Sequence, residues 1–236
     1  MKKIIVLNHK SYLNYEEIKT YPIELNQIIR TDQTVIVCPS AIYMPYFKGK
    51  YSFKLGSQNI ENENITGELT GETLKSMEIK YAHTNSNDRK NKYSIESKDI
   101  NSKIKAAIAN GITPIVVVGE TYYENELNKT LKIIEKQIKD YFDQIEVNRD
   151  IILVYSPNWS YKGKEVPSLE HITEAIDLIK NIVKRKYDTN IRVLYGGDIS
   201  IENISKLDKI SSIDGYLITD ISRDLNKLKN FFNEIE

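Results

Sequence analysis

Lys10, two residues beyond Asn8 at the end of the apolar run "KIIVLN", offers an ammonium that can steady a developing negative charge, with an amide beside it to orient a ligand. Ser86 and Ser156 follow two further apolar runs; their hydroxyls can donate, accept or, beside a base, attack as nucleophiles. Asp88 is a proton-transfer candidate close to Ser86. Gly196-Gly197-Asp198 and Thr219-Asp220 end two late runs, where glycine lets a backbone approach a ligand closely and the carboxylates attract cations and repel anions. Asp198 and Asp220 could meet a hard cation, but two carboxylates of unfixed geometry make thin support for a metal site, and neither a metal nor a cofactor is expected.

These residues share a position: each stands just after a short apolar, β-branched run. The runs are "KIIVLN", "TVIVCP", "SFKLGSQN", "IKYAHT", "TPIVVVGE", "DIILVYSP", "IRVLYGG" and "DGYLIT". Most are continuously apolar, as strands covered on both faces are. Helical periods lie between them. Residues 126–145 carry Leu127, Leu131, Ile134, Ile138, Phe142 and Ile145 on one face, and residues 168–187 carry Ile172, Ile176, Ile179 and Val183, with Pro167 and Ser168 where a helix would start. Strands alternating with helices call for a parallel sheet, favoured as one (β/α)8 barrel domain over residues 1–236; an open doubly wound sheet is the alternative. In such a barrel function sits at the C-terminal ends of the strands, where Asn8, Lys10, Pro39, Gln58, Asn59, residues 86–89, Gly119, Glu120, Ser156, residues 196–198, Thr219 and Asp220 fall.

Composition narrows the partners. The chain has 236 residues, 40% hydrophobic, with 33 basic and 33 acidic residues, so no charge excess favours nucleic acid. A small-molecule ligand is the expected partner. The one cysteine, Cys38, lies in a strand-like run and can form no internal disulfide, which fits a reducing compartment. The five-residue apolar run of "MKKIIVLNHK" is too short for a signal-peptide core, and no stretch approaches the roughly 18 apolar residues of a membrane span. The expectation is a cytoplasmic protein that contacts no membrane.

Taken in order, "LNHKSY", "VIVCPSAIY", "LGSQN", "TGELTGETLKSMEIKYA", "VVVGET", "VYSPNW", "RVLYGGDIS" and "IDGYLIT" resemble the triosephosphate isomerase family over nearly the whole chain. The resemblance implies an isomerase fold and reaction: a glutamate shuttles a proton, a neutral histidine polarises the carbonyl, a lysine steadies the enediolate and backbone amides hold the phosphate, a standard illustration of pKa tuning. It places the catalytic positions on Lys10, Asn8, Ser86, Ser156 and Asp88, and the substrate-binding positions on Gly196, Gly197, Asp198, Thr219 and Asp220. Lys10 and Asn8 match the family's pair. Counting from Thr66-Gly67-Glu68, the family's Gly-His-Ser-Glu-Arg-Arg falls on residues 85–90, which puts Ser86 on the histidine and supports the register through Asp88 and Arg89. Tyr155-Ser156-Pro157-Asn158-Trp159 replaces the family's Tyr-Glu-Pro-x-Trp.

The departures set the functional expectation. A serine hydroxyl cannot take a carbon-bound proton near neutral pH without a strong base, and the nearby glutamate, Glu165, is nine residues on from Ser156. His83, three residues before Ser86, would serve instead only with a shifted register; it is expected as a polar residue inside the barrel or on the helix side of the strand, hydrogen-bonded for structural reasons. Asp198 and Asp220 stand where the family's phosphate-binding loops have small residues, and like charges near a dianion cost about 1 kcal/mol each even in near-water screening. The loop "PNWSYKGK" is one residue shorter than the family's lid and carries Tyr161 and Lys162 in place of small hinge residues. The leading expectation is a pseudoenzyme: an isomerase-like barrel with a degenerate site, acting in binding or interaction. Two alternatives stand beside it. One is an isomerase or other enzyme acting on a different, non-phosphorylated or cationic substrate, with Lys10, Ser86, Asp88, Arg89, Glu120, Ser156, Asp198 and Asp220 lining a polar mouth. The other is a divergent triosephosphate isomerase interconverting glyceraldehyde 3-phosphate and dihydroxyacetone phosphate in glycolysis. The resemblance also implies a homodimer, weakened here because the loop "NIENENI" before Thr66 is about three residues short.

Overall fold

Strands without a polar face need cover on both sides, and the chain supplies it. The computed structural model describes residues 2–126, 128–148, 150–160 and 166–235. Leu127, Tyr161, Lys162 and Glu165 lie outside these. Among the described residues eight strands follow in order: β1 Ile4–Asn8, β2 Thr34–Cys38, β3 Lys54–Ser57, β4 Tyr81–His83, β5 Thr113–Val118, β6 Ile152–Tyr155, β7 Arg192–Tyr195 and β8 Gly215–Ile218. Each pairs in parallel with the next, and β8 returns to β1 with Val6 opposite Leu217. That last pairing closes the barrel and excludes the open doubly wound sheet.

Side chains at alternate positions divide between two layers. Ile4, Val6, Ile36, Cys38, Ile115, Val117, Ile152, Val154, Leu194 and Leu217 fill the interior. Ile5, Leu7, Val35, Val37, Val116, Leu153 and Val193 face outward into the main core under the helices. Those helices are α1 Tyr15–Ile28, α2 Gly71–Ser76, α3 Asn87–Tyr93, α4 Ser97–Ala109, α5 Tyr122–Glu126, α6 Thr130–Tyr141, α7 Leu169–Tyr187, α8 Ile201–Leu207 and α9 Leu225–Glu234. Helix α7 follows its sequence pattern: Ser168 caps it by accepting from His171 N–H, and Ile172, Ile176, Ile179 and Val183 are fully buried.

The helix expected over 126–145 is interrupted. Asn128 adopts a left-handed conformation (φ 51°) that asparagine tolerates, its N–H bonds to Asn125 O, and α6 begins only at Thr130. Ile134, Ile138 and, just past the helix, Phe142 are buried as periodicity placed them and Tyr141 joins them, while Leu131, placed on the same face, is 52% exposed. Among the described residues no helix is long and apolar enough to cross a membrane.

Candidate functional site

At the C-terminal rim of the barrel a cavity of about 340 Å³ opens between β1, β4, β6, β7 and β8. Asn8, Lys10, Ser86, Asp88, Ser156, Gly196, Gly197, Asp198, Thr219 and Asp220 all line it. The strand ends thus bring together the ten residues that the resemblance assigns to catalysis and substrate binding.

Lys10 is held in a backbone conformation that side-chain-bearing residues rarely adopt, φ 46°. Its N–H donates to Asn8 Oδ1 at 3.0 Å, while its carbonyl accepts from Ser40 Oγ and Gln58 Nε2, each at 2.7 Å. Three bonds from three strand ends hold the strained residue, an arrangement found where a side chain must be aimed. Its ammonium lies 2.7 Å from the Asp88 carboxylate.

Ser86 is the N-cap of α3, and its Oγ accepts from Arg89 N–H at 3.3 Å. That hydroxyl is committed to starting the helix that carries Asp88. Ser156 is 8% exposed. Its Oγ donates to Gly196 O at 2.7 Å and accepts from Asn87 Nδ2 at 3.1 Å, and its N–H bonds to Val118 O at 2.8 Å. A side chain at Gly119 would put its Cβ 2.2 Å from Ser156 O, so only glycine lets β5 come this close.

The far wall is acidic. Burial and, secondarily, Asp220 push the Asp198 carboxyl above its usual range. Gly197 is tightly boxed: a Cβ there would fall 2.1 Å from Tyr195 Oη. Asp198, Ile199 and Asp220 also border an outer groove of about 800 Å³ between α1, α8 and α9, where Arg223 stacks over Tyr12 with its guanidinium carbon 5.1 Å from the ring centre.

Two residues expected in the mouth are elsewhere. Arg89 turns away to Glu68 Oε1 at 2.8 Å and lies over Tyr93. Glu120 is fully buried; its Oε1 accepts from Trp159 Nε1 at 2.9 Å and Tyr155 Oη at 3.2 Å, with His171 Nε2 at 3.4 Å. It fixes the aromatic cluster beneath the β6 loop rather than meeting a ligand. His83 is also corrected: it lies on the interior face two residues beyond Tyr81, fully buried, and neither ring nitrogen has a hydrogen-bond partner among the described residues. Burial holds its pKa down to about 4. Cys38 is an interior thiol whose pKa burial pushes up.

Sequence reasoning missed Asn91 and Asn158, which line the cavity and bond to each other through both amides. The signal available was Asn87 and Asn91 at four-residue spacing, one face of a helix. Among the described residues no group of three or more His, Cys, Asp or Glu side chains is placed to hold a metal ion.

Comparison with known proteins agrees with this geometry. The family model described as triosephosphate isomerase matches residues 3–235. A triosephosphate isomerase of Mycoplasmopsis pulmonis is 31% identical, covering 96% of this chain and 95% of that protein. One of Dictyoglomus thermophilum is 30% identical over 100% of this chain and 99% of its own length. A probable triosephosphate isomerase 2 of Listeria monocytogenes is 29% identical over 71% and 68%.

Proposed function

The chain belongs to the triosephosphate isomerase family, and from that premise we propose that it keeps the family's barrel as a scaffold binding a small ligand, without interconverting triose phosphates. The observation that carries this reading is the state of Ser156. At the strand end where the family places its proton-shuttling carboxylate, this hydroxyl is spent on Gly196 O and Asn87 Nδ2. Proton transfer from carbon needs a basic group within hydrogen-bond reach of the substrate. Asp88 faces Lys10, and Asp198 and Asp220 stand where the substrate's phosphate would rest. Ser86, in the histidine's place, is bound to Arg89 N–H. Groups that act as a unit fail as a unit, so loss of the base alone already takes turnover far below that of an ordinary enzyme.

Retention of Lys10, Asn8 and Asp88 in their family positions favours a second reading, an isomerase of altered chemistry on a non-phosphorylated substrate. A coupled assay of the purified protein with glyceraldehyde 3-phosphate separates the family reaction from both. No interconversion is expected; turnover above about 1 s⁻¹ overturns the proposal. The shortened loop over 59–65 supports a weakened dimer, which sedimentation velocity checks across protein concentrations.

A further inference from the structure

Loops over active sites usually close on a ligand by bending at a few end residues, expelling water as they do so. In this chain the N-terminal end of the β6 loop is fastened to α3. Asn87 Nδ2 donates to Ser156 O at 3.0 Å and to Ser156 Oγ at 3.1 Å. One helical turn on, Asn91 and Asn158 form a reciprocal amide pair, each Nδ2 donating to the other's Oδ1 at 3.0 Å. From the opposite side, Asn158 N–H bonds to Glu120 O at 2.8 Å and Trp159 Nε1 to Glu120 Oε1 at 2.9 Å. Ser160 N–H and Oγ both turn back to Pro157 O, at 3.2 and 3.1 Å. Bending at 157–159 would break bonds on both flanks at once.

We propose that Asn87 and Asn91 are positioning residues: the clasp they make with Ser156 and Asn158 fixes the N-terminal end of the loop and preforms this side of the barrel mouth. This rests on the reading of the chain as a binding scaffold and deepens it. A fixed wall on this side suits a site that binds and releases a small ligand.

Trp159 is the chain's one tryptophan and sits inside the fastened segment, so it reports on the clasp directly. With 5-fluorotryptophan incorporated, the wild-type protein should give one sharp fluorine resonance, unchanged between 10 and 40 °C. Asn91→Ala and Asn158→Ala should each broaden or split it and raise amide hydrogen exchange at residues 158–160 about ten-fold, the factor expected from losing a pair of modest hydrogen bonds. The double variant should do no more than either single one, because both remove the same pair. Melting temperature separates a local from a global effect and should move by only a few degrees. A wild-type signal already in exchange, or a signal and exchange rates that ignore both substitutions, overturns the clasp and leaves the functional reading standing. Isomerase turnover by the wild type with Trp159 rigid overturns the functional reading instead.

Discussion

The Lys10 ammonium and the Asp88 carboxylate stand 2.7 Å apart on the near side of the cavity, whereas Asp198 and Asp220 on the far side make no ion pair among the described residues. The lining therefore carries two negative charges without an ion-pair partner on the side where the resemblance puts the phosphate-holding backbone amides. We expect inorganic phosphate to bind only weakly, and Asp198→Ser/Asp220→Gly to tighten it at least ten-fold at low salt, with Lys10→Ala abolishing the gain. Isothermal titration measures this. Equal affinity in wild type and double variant would mean that the carboxylates do not exclude anions.

His9 and His83 are buried, each with both ring nitrogens unpartnered among the described residues, and burial holds their pKa values at about 3 and about 4. The unfolded chain takes up protons near the usual 6.5, which these native rings refuse. Their contribution to stability is therefore complete above about pH 7 and falls as pH drops from 6.5 towards 4 and then 3. Each group adds a slope of up to about 1.4 kcal/mol per pH unit in that window. Urea unfolding at pH 7, 6 and 5 should show wild type losing about 2 kcal/mol more per histidine than His9→Phe or His83→Leu. His9 packs edge-on to Tyr21, with ring centres 4.8 Å apart, in an aromatic site that suits phenylalanine.

The barrel was readable because strands buried on both faces write continuous apolar runs, and all eight lie where those runs fall. Position on the rim was readable too, since a residue just past a barrel strand has one place to be; that is why Lys10, Ser86, Ser156, Asp198 and Asp220 meet. Direction was not. Arg89 and Glu120 also follow strands, but each turns to a better partner, Glu68 for one and the Tyr155–Trp159 pair for the other, and a local pattern carries no record of tertiary partners. Asn128 broke an expected helix for a similar reason: periodicity does not register a left-handed residue.

Lys103 is 5% exposed; its ammonium bonds Glu61 Oε1 at 2.5 Å and Asn59 Oδ1 at 3.0 Å, fastening the loop after β3 to α4. Removing Lys103 leaves the mostly buried Glu61 carboxylate with only Asn59 Nδ2 at 3.1 Å and Arg89 at 4.0 Å among the described residues. Lys103→Met should cost about 2–3 kcal/mol in chemical denaturation, less than for a carboxylate left with no partner. Lys103→Met/Glu61→Gln should recover a good part of it, and a double variant as unstable as the single one would show that Lys103 acts through packing.

Rebuilding the family's site tests the proposed loss of its reaction. Ser86→His removes the N-cap of α3, which should cost about 1 kcal/mol. Ser156→Glu displaces the hydroxyl from Gly196 O and frees Asn87, and its carboxylate then faces the cavity beside Asp198. Three carboxylates around one small cavity repel a phosphorylated substrate more strongly than two, so Ser86→His/Ser156→Glu should stay inactive in the coupled assay. Adding Asp198→Ser and Asp220→Gly removes that repulsion and returns backbone access to the anion site. Activity is therefore expected first in the fourfold variant. If the twofold variant turns over, the missing acid–base groups were the whole defect and the acidic wall is a passenger; if the fourfold variant stays silent with intact folding, the fixed β6 loop is what bars the reaction, and Asn91→Ala added to it should then release activity.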